Sequence, residues 1–165
     1  VDQDLNFLRP NVEGEIVVRG PNVMLGYLDR PLETRKTISA EGWLRTGDLG
    51  RIDEDGYVFV TGRIKELIIK GGENIAPREI DEALLEHNAV LEAAAFPIEC
   101  ANYGQRVGAC VRLKESKKAT EEELLHFCRE RIGDFKSPDS IYFLDDLPKG
   151  PSGKIQRQKL IELIL

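Results

Sequence analysis

A run of seven residues near the end of the chain, 148–154, excludes both kinds of regular secondary structure. Two prolines and two glycines stand within it, a density that neither a helix interior nor a central strand accepts. The run follows an apolar, strand-like stretch at 141–144 and precedes a helix-like one at 160–165, so it is predicted to be a fixed turn. Its last residue, Lys154, would act there as a point charge suited to phosphate or carboxylate oxygens. The alternative is an ordinary connection with a solvated lysine.

The composition limits both the compartment and the partners of the chain. With 41% apolar and 32% charged residues among 165, it is typical of a globular protein of one domain or slightly more. The formal charge of −6 argues against nucleic acid as a main partner. No apolar run is long enough for a transmembrane helix, and no signal-peptide pattern opens the chain. The expected location is therefore cytoplasmic, or an organelle matrix such as that of a peroxisome.

Neither the cysteines nor the histidines predict a metal site or a catalytic group. Cys100, Cys110 and Cys128 are odd in number and lack Cys-x-x-Cys spacing, which indicates buried, reduced thiols. His87 and His126 lie far apart on the polar flanks of predicted helices, where solvated or structural roles are expected. The sequence contains no Ser-His-Asp or metal-ligand spacing, so no metal site is predicted.

Apolar periodicity predicts an α+β protein in two parts. Residues 1–64 are β-rich, and residues 65–165 alternate strand and helix in a compact domain with a three-stranded sheet. In the first part the expected elements are a strand at 15–20, a short helix at 31–38 and a hairpin turn at 53–56. In the second part they are an apolar segment at 67–69, a helix from Pro77 with Ile80, Leu84 and Leu85 on its apolar face, strands at 90–96, 107–113 and 141–144, a helix opened by a Thr120–Glu123 capping box, and a helix after Lys154.

Two further segments combine charge with glycine. At 43–48, predicted as a turn, Asp48 could accept hydrogen bonds from vicinal hydroxyls, as acidic residues do for ribose; the alternative is an aspartate that closes the turn. At 62–75, the pair Gly71–Gly72 would let the backbone approach a ligand closely, and the alternative is a hairpin with solvated charges.

A phosphate-binding P-loop is not expected at the end of the chain, because the glycine spacing is two residues short and Ile155 replaces the required Ser or Thr.

Taken together, these segments resemble the C-terminal part of the adenylate-forming superfamily, which includes acyl-CoA synthetases, luciferases and the adenylation domains of peptide synthetases. Arg-Thr-Gly-Asp at 45–48, Gly-Arg-Ile-Lys-Glu-Leu-Ile at 62–68 and Pro-x-x-x-x-Gly-Lys at 148–154 occur in the family's order. The resemblance extends from about Gly14 to the end of the chain. It is closest in look to fatty-acyl, coumarate and oxalate CoA ligases.

The resemblance implies roles for individual residues. Asp48 and Arg63 match positions that hold the ribose and phosphate of ATP or AMP, and Asn74 matches one that faces the adenylate in a second conformation. Lys65 matches the hinge about which the C-terminal domain swings between two reactions. Lys154 matches the catalytic lysine of adenylation, in contact with the nucleotide and the acid. The residues implied to line the passage for CoA are Lys70, Gly71 and Gly72.

The implied function is the conversion of a carboxylic acid, ATP and CoA to acyl-CoA, AMP and pyrophosphate through an acyl-adenylate. ATP, CoA and Mg²⁺ are the implied cofactors, with Mg²⁺ held mainly by an N-terminal domain upstream of residue 1. Residues 1–64 would be the last β subdomain of that domain, and residues 65–165 its mobile lid. The chain is thus expected to be a C-terminal fragment that is inactive alone.

Two other classes of function stay open. The parent could load a carrier protein or oxidise a luciferin, although Lys65 stands where peptide-synthetase domains usually have Asp, and Ile69 stands where luciferases and coumarate ligases carry a second lysine. The chain could also be an independent binding module, which accounts less well for three motifs in order. The acyl substrate and the oligomeric state are not predicted, because the acyl pocket would lie upstream.

Overall fold

The computed structural model describes residues 1–164 and contains two compact units, Val1–Lys65 and a second that begins at Glu66. The predicted α+β class is confirmed. The boundary between the units lies one residue after the predicted one. The interpretation of the units as a terminal β subdomain and a mobile lid stays a prediction. The helix-like stretch predicted at 160–165 extends to Leu165, which lies outside the described residues.

The first unit is built on a three-stranded antiparallel sheet with the order β1-β2-β3. Its elements are β1 (Gly14–Val18), α1 (Pro31–Thr37), β2 (Leu44–Ile52) and β3 (Val58–Arg63). Pro31 begins α1 as predicted, because its missing N–H and fixed φ suit the first helical position. The predicted hairpin turn joins β2 to β3, and the Asp53 carboxylate accepts hydrogen bonds from the N–H groups of Asp55 and Tyr57 inside it.

The segment 43–48 was predicted as a turn, and that prediction is wrong: from Leu44 onwards it is part of β2. The register between β1 and β2 shifts between Glu15 and Val17, which marks a bulge. Gly47, opposite this shift, has a φ of 73°. Because glycine adopts a positive φ without strain, the strand continues through a sequence that has the composition of a turn.

The second unit contains a five-stranded sheet, where three strands were predicted. Its elements are β4 (Ile68–Lys70), β5 (Glu73–Ile75), α2 (Pro77–Leu85), β6 (Val90–Cys100), β7 (Gly104–Leu113), α3 (Glu121–Lys136), β8 (Ser140–Phe143) and α4 (Arg157–Ile164). The strand order is β5-β4-β7-β6, and β8 pairs in parallel with β7. Strands β4 and β5, expected only under the hairpin alternative for 62–75, have three residues each, which is too short for a periodic apolar signal.

Strand β7 is the centre of this sheet. It pairs with β6 along one edge, while β4 and β8 share the other edge, β4 opposite Gly104 and β8 opposite 108–111. Asp139 lies at the junction of the two partial strands, where one carboxylate oxygen accepts from the Val107 N–H at 3.0 Å and from Lys70 Nζ at 3.1 Å. A single side chain thus closes the gap along this edge.

Apolar side chains cover both faces of the sheet. Residues of β6 alternate between the two clusters, since Ala93 and Ala95 belong to one and Ala94 and Phe96 to the other. The first cluster receives α2 and α3 through Ile80, Leu84, Leu124 and Cys128, and the second receives the last helix through Leu160. In α2, Ile80 and Leu84 are buried as predicted, but Leu85 is exposed, because Asp81 occupies the inward position beside them.

The predicted capping box opens α3. The Thr120 hydroxyl accepts from the Glu123 N–H at 3.2 Å, and the Glu123 carboxylate accepts from the Thr120 N–H at 2.9 Å. The helix is broken at Gly133, which has a φ of 77°. Both reciprocal hydrogen bonds of the capping box are present, which confirms the prediction.

Two of the three cysteines are buried as expected, and Cys100 is not. Cys110 and Cys128 are buried, and burial raises the pKa of each thiol to about 11, while Cys100 is half-buried; all three are free. His87 accepts a hydrogen bond from the Ala89 N–H and packs edge-on against an aromatic ring, and His126 is exposed. Among residues 1–164, no helix combines the length and the apolar character that crossing a membrane requires.

Replacing Thr120 by Ala removes the acceptor of one capping bond, and we expect a loss of about 1 kcal/mol in the free energy of unfolding. Urea unfolding followed by far-ultraviolet circular dichroism measures this loss. Lys118→Ala, an exposed change two residues before the cap, is the control and should alter stability far less. Equal losses in both variants would show that the cap does not stabilise the helix.

Candidate functional site

Asp48 and Arg63, predicted to act together, lie opposite each other in the β2–β3 ladder. Arg63 Nε lies 2.8 Å from Asp48 Oδ1 in an ion pair. The Asp48 N–H donates to the Thr46 hydroxyl at 3.0 Å, and that hydroxyl donates to the Ile16 carbonyl at 2.7 Å. Arg63 thus contacts the carboxylate, and Thr46 holds the backbone of the same residue. The Asp48 side chain is 29% exposed, so its carboxylate can accept further hydrogen bonds.

The bulge that orients Asp48 is held by Glu15, a residue that the sequence did not single out. Its carboxylate is buried, pairs with Arg45 Nη2 at 2.6 Å and accepts the Gly47 N–H at 3.1 Å. A buried carboxylate is stable only with such partners. Glu15 thereby fixes the backbone of the residue directly before Asp48.

Gly71 and Gly72 form the two-residue turn of the β4–β5 hairpin, with φ values of 59° and 87°. Positive φ at both positions defines the tight hairpin turn that glycine favours. The Gly71 N–H donates to the Tyr103 carbonyl at 2.9 Å, and a Cβ added to Gly72 would have no atom within 4 Å. The turn therefore presents bare backbone. Asn74 lies on β5 of the same hairpin and is exposed.

Lys70 differs from its expected role as a ligand contact. Its side chain is buried, and its ammonium group pairs with Asp139 at 3.1 Å and lies 5.6 Å from the centre of the Phe135 ring. The alternative was a hairpin with solvated charges. The hairpin is present, but the charge of this lysine is not solvated. Because its charge is already used inside the unit, only its backbone is available to a ligand in this structure.

The run 148–154 is a small closed turn, as predicted. Lys149 and Ile155 form a bridge, the Gly150 N–H donates to the Lys154 carbonyl at 2.8 Å, and the Gly153 N–H donates to the Gly150 carbonyl at 2.9 Å. Lys154 is exposed, and within residues 1–164 its ammonium group has no ion-pair partner. A cation that pairs with no carboxylate of the described residues, on a backbone closed by hydrogen bonds, is available to an incoming anion.

A network of charges holds the base of this turn. Lys149 Nζ contacts Glu92 at 2.8 Å and Asp146 at 3.1 Å, and Arg112 contacts the same two carboxylates at 3.2 Å. The hydrogen bond from Lys149 holds the pKa of Glu92 and that of Asp146 below their usual values. The Lys149 side chain is thereby immobilised, which leaves Lys154 as the free cation of the turn among the described residues.

Arg157, directly after the turn, joins three elements of the second unit. Its Nη1 donates to the Ala95 carbonyl at 2.8 Å, its Nη2 contacts Asp81 at 2.5 Å, and its Nε contacts Glu66 at 3.1 Å. Burial raises the pKa of Asp81, while hydrogen bonds from Arg157 and the Ala95 N–H act in the opposite direction. Sequence reasoning missed this cluster. The available signal was Asp81 itself, an acid at helical spacing from Pro77 and Leu84 on the apolar side of α2.

Lys65 lies in a short 3-10 turn, Ile64–Glu66, where the two units meet along the chain. The structure thus groups the predicted residues into Asp48 with Arg63, the Gly71–Gly72 hairpin with Asn74, and Lys154 on its own turn. No group of three or more His, Cys, Asp or Glu side chains in residues 1–164 could hold a metal ion.

Comparisons with known proteins show which proteins this chain is similar to. Residues 79–154 match the family model described as the AMP-binding enzyme C-terminal domain. A sulfoacetate–CoA ligase of Cupriavidus necator is 53% identical over 148 residues, which are 90% of this chain and 29% of the relative. A 2-succinylbenzoate–CoA ligase of Bacillus cytotoxicus is 45% identical and matches 99% of this chain and 34% of its own.

Solved structures also match nearly the whole of this chain and about a third of their own length. ATP-bound MatB from Rhodopseudomonas palustris superimposes with a TM-score of 0.90 at 37% identity and covers 94% of this chain and 31% of its own. MatB without ligand gives a TM-score of 0.69 over the same 94%. The chain spans about a third of the length of the relatives that it matches.

The network at the base of the turn predicts an acid dependence of stability. Because the folded-state pKa of Glu92 is depressed below 4.5, its contribution is present above that pH and is lost as the pH falls through the lower folded value. Glu92→Gln should therefore reduce the free energy of unfolding by about 1 kcal/mol at pH 7 and by progressively less as the pH falls below 4.5. Urea unfolding at a series of pH values from 7 downward, with Glu99→Gln on the same strand as control, measures this difference. A pH-independent loss would contradict the assignment.

Proposed function

We propose that the whole protein is an AMP-forming acyl-CoA synthetase, because residues 79–154 match the model of the AMP-binding enzyme C-terminal domain and similar proteins are CoA ligases by name. A carboxylate oxygen would attack the α-phosphorus of ATP and expel pyrophosphate. The CoA sulfur would then attack the acyl carbonyl, lose its proton to solvent and expel AMP. The observation that carries the proposal is Lys154, an exposed cation without an ion-pair partner among residues 1–164, on a closed turn.

Lys154 is proposed as the catalytic lysine of the first step. Two anions approach each other in that step, and negative charge is shared among the attacking carboxylate and the oxygens of the α-phosphate. A cation that is already oriented towards this place stabilises the transition state without reorganisation. The closed turn and the fixed Lys149 support this role, since they restrict the backbone from which Lys154 projects.

Asp48 is proposed to hold the ribose of the nucleotide. A carboxylate can accept hydrogen bonds from two vicinal hydroxyls; Arg63 pairs with this one, and Thr46 holds the Asp48 backbone N–H. Arg63 has an exposed guanidinium, which can contact a phosphate while it retains Asp48. Asn74 is proposed to face the adenylate in the second conformation, and its exposure is compatible with that contact.

The Gly71–Gly72 turn is proposed to line the passage for CoA. Bare backbone at Gly72 leaves room for the narrow pantetheine chain, which a Cβ would occupy. Lys70 contributes to this proposal through its backbone and through the ion pair with Asp139 that fixes the hairpin on the sheet.

Lys65 is proposed as the hinge. The chain passes from one compact unit to the other directly after this residue. The two solved forms of MatB, ATP-bound and without ligand, match this chain with TM-scores of 0.90 and 0.69, so the corresponding region of that relative differs between its forms. A swing of the second unit after adenylation would let two half-reactions use one cavity in turn.

The remaining parts of the activity are assigned to residues beyond this chain. Mg²⁺ would be held with the triphosphate by an N-terminal domain, and the same domain would bind the acid. The relatives act on different acids, sulfoacetate and 2-succinylbenzoate by their names, so the class of acid is left open here.

We expect the protein in the cytoplasm, in agreement with its three free thiols. An assay for free and acylated CoA with the full-length protein distinguishes this function from carrier-protein loading or a luciferase-type oxidation.

In the full-length protein, Lys154→Ala should lower the rate of acid-dependent pyrophosphate release by about 10²–10³-fold, because one preorganised cation is lost. The same variant, given synthetic acyl-AMP and CoA, should form thioester at nearly the normal rate. Lys159→Ala, which removes an exposed lysine of α4, is the matched control and should leave both reactions intact. Equal loss of the two half-reactions in Lys154→Ala would exclude the assigned role.

Lys65→Pro should have the opposite effect, because a fixed φ at the hinge restricts the swing. Pyrophosphate release in a single turnover should persist, and transfer to CoA should fail. Lys65→Ala keeps the backbone free and should retain both half-reactions. If Lys65→Ala fails as Lys65→Pro does, the side chain rather than the backbone carries the function.

Gly72→Asn tests the CoA passage with little backbone strain, since asparagine tolerates a positive φ better than other residues. Acyl-CoA formation should fall and pyrophosphate release should be spared. Gly56→Asn is the matched control, because Gly56 has a φ of 88° and equally open surroundings in the β2–β3 hairpin. A similar loss of thioester formation in both variants would refute the proposed passage.

A further inference from the structure

Arg157 stands three residues after Lys154 and has a fixed side chain. Its guanidinium group is 21% exposed and meets two carboxylates and one carbonyl. The Asp81 carboxylate, itself only 12% exposed, faces two of its nitrogens and also accepts the Ala95 N–H at 2.7 Å. The planar fork can satisfy these partners in one orientation only, and a lysine in its place could not.

The backbone between Arg157 and Lys154 transmits this constraint. Only Ile155 and Gln156 lie between them: the Ile155 side chain packs against the apolar cluster around Phe96, and the Gln156 N–H donates to the Pro148 carbonyl at 2.8 Å. The chain that leaves the turn is therefore anchored at Ile155 and Gln156. Gln156 Oε1 is buried and has no hydrogen-bond partner among residues 1–164, a local cost that the neighbouring contacts must offset.

The same guanidinium also contacts Glu66, the residue next to the proposed hinge. Glu66 and Asp81 carry two negative charges and share the one positive charge of Arg157. Loss of Arg157 would therefore leave both carboxylates without this partner. The segment that starts the second unit and the segment that carries Lys154 are thus joined through one side chain, although they are 91 residues apart.

We propose that Arg157 is the positioning residue of Lys154: it fixes the lysine turn to Asp81, Ala95 and Glu66, so that the turn and the hinge-adjacent segment move as one piece. The proposal rests on the proposed function, in which Lys154 acts on the α-phosphate. A displacement of about 1 Å by a residue outside the reaction centre can cost about 10²-fold in rate. Arg157 would act through Lys154 and would not touch the substrates.

A double-mutant cycle in the full-length protein tests this. Arg157→Lys should lower kcat for acid-dependent pyrophosphate release by up to about 10²-fold and leave the KM for ATP nearly unchanged. In the Lys154→Ala background the same change should have little further effect, because the residue through which it acts is absent. An equal fold-loss in both backgrounds would overturn the proposal, since a general structural defect lowers both rates alike.

Two controls separate positioning from instability. Arg131→Lys also replaces an arginine that pairs with a glutamate and stacks on an aromatic ring, and it should leave the rates unchanged. Glu66→Gln removes one partner of Arg157 and retains the pair with Asp81, so it should give a smaller loss in the same direction. If Arg157→Lys does not fold, the Glu66→Gln cycle decides by the same criterion.

Amide hydrogen exchange keeps this test independent of the activity. Arg157→Lys should accelerate exchange at Gly150, Gly153 and Gln156, whose N–H groups close the turn, while core amides of β6 and β7 and the Arg131→Lys protein stay unchanged. If the full-length protein forms no thioester, the proposed function fails but this prediction still stands. Unchanged exchange at the three turn amides would overturn the positioning role whatever the activity.

Discussion

A buried carboxylate is stable only with a charged partner, and in the second unit the pairing of Asp81 with Arg157 determines how distant segments meet. An uncompensated charge at such a site costs several kcal/mol, and the guanidinium group of Arg157 is the charged partner that offsets part of this cost. The start of α4 is therefore fixed to α2 and to the Ala95 carbonyl of β6. The turn that precedes α4 is therefore held close to β6 by the residue three positions after Lys154.

Local sequence signals predicted the elements whose cause is local. The Thr120–Glu123 capping box, the proline that begins α1 and the glycine-rich closing turn each act within a few residues, and each lies where it was predicted. The turn expected at 43–48 was wrong because the partner strand and a bulge at Gly47 determine that segment. Strands β4 and β5 owe their existence to pairing and not to their own three residues.

The electrostatics of the candidate site could not be predicted from the sequence. The pairs that matter join residues far apart along the chain: Glu92 and Lys149 are separated by 57 residues, Lys70 and Asp139 by 69, and Asp81 and Arg157 by 76. Reading the sequence showed which segments contain glycine and lysine, but not which lysine was already neutralised. Among residues 1–164, Lys70 and Lys149 pair with carboxylates and Lys154 has no ion-pair partner, a distinction that only the fold makes.

Burial of the thiols has a practical consequence for work on this protein. With a thiol pKa of about 11, Cys110 and Cys128 would be thiolate in about one molecule per thousand at pH 8, even before their enclosure slows a reagent. Cys100 is half-buried at the end of β6, in register with Gly104, which itself pairs with Lys70 beside the Gly71–Gly72 turn. A maleimide dye or spin label added near neutral pH will therefore select this position. The native chain thus offers an attachment point beside the glycine hairpin, without a substitution in either apolar cluster.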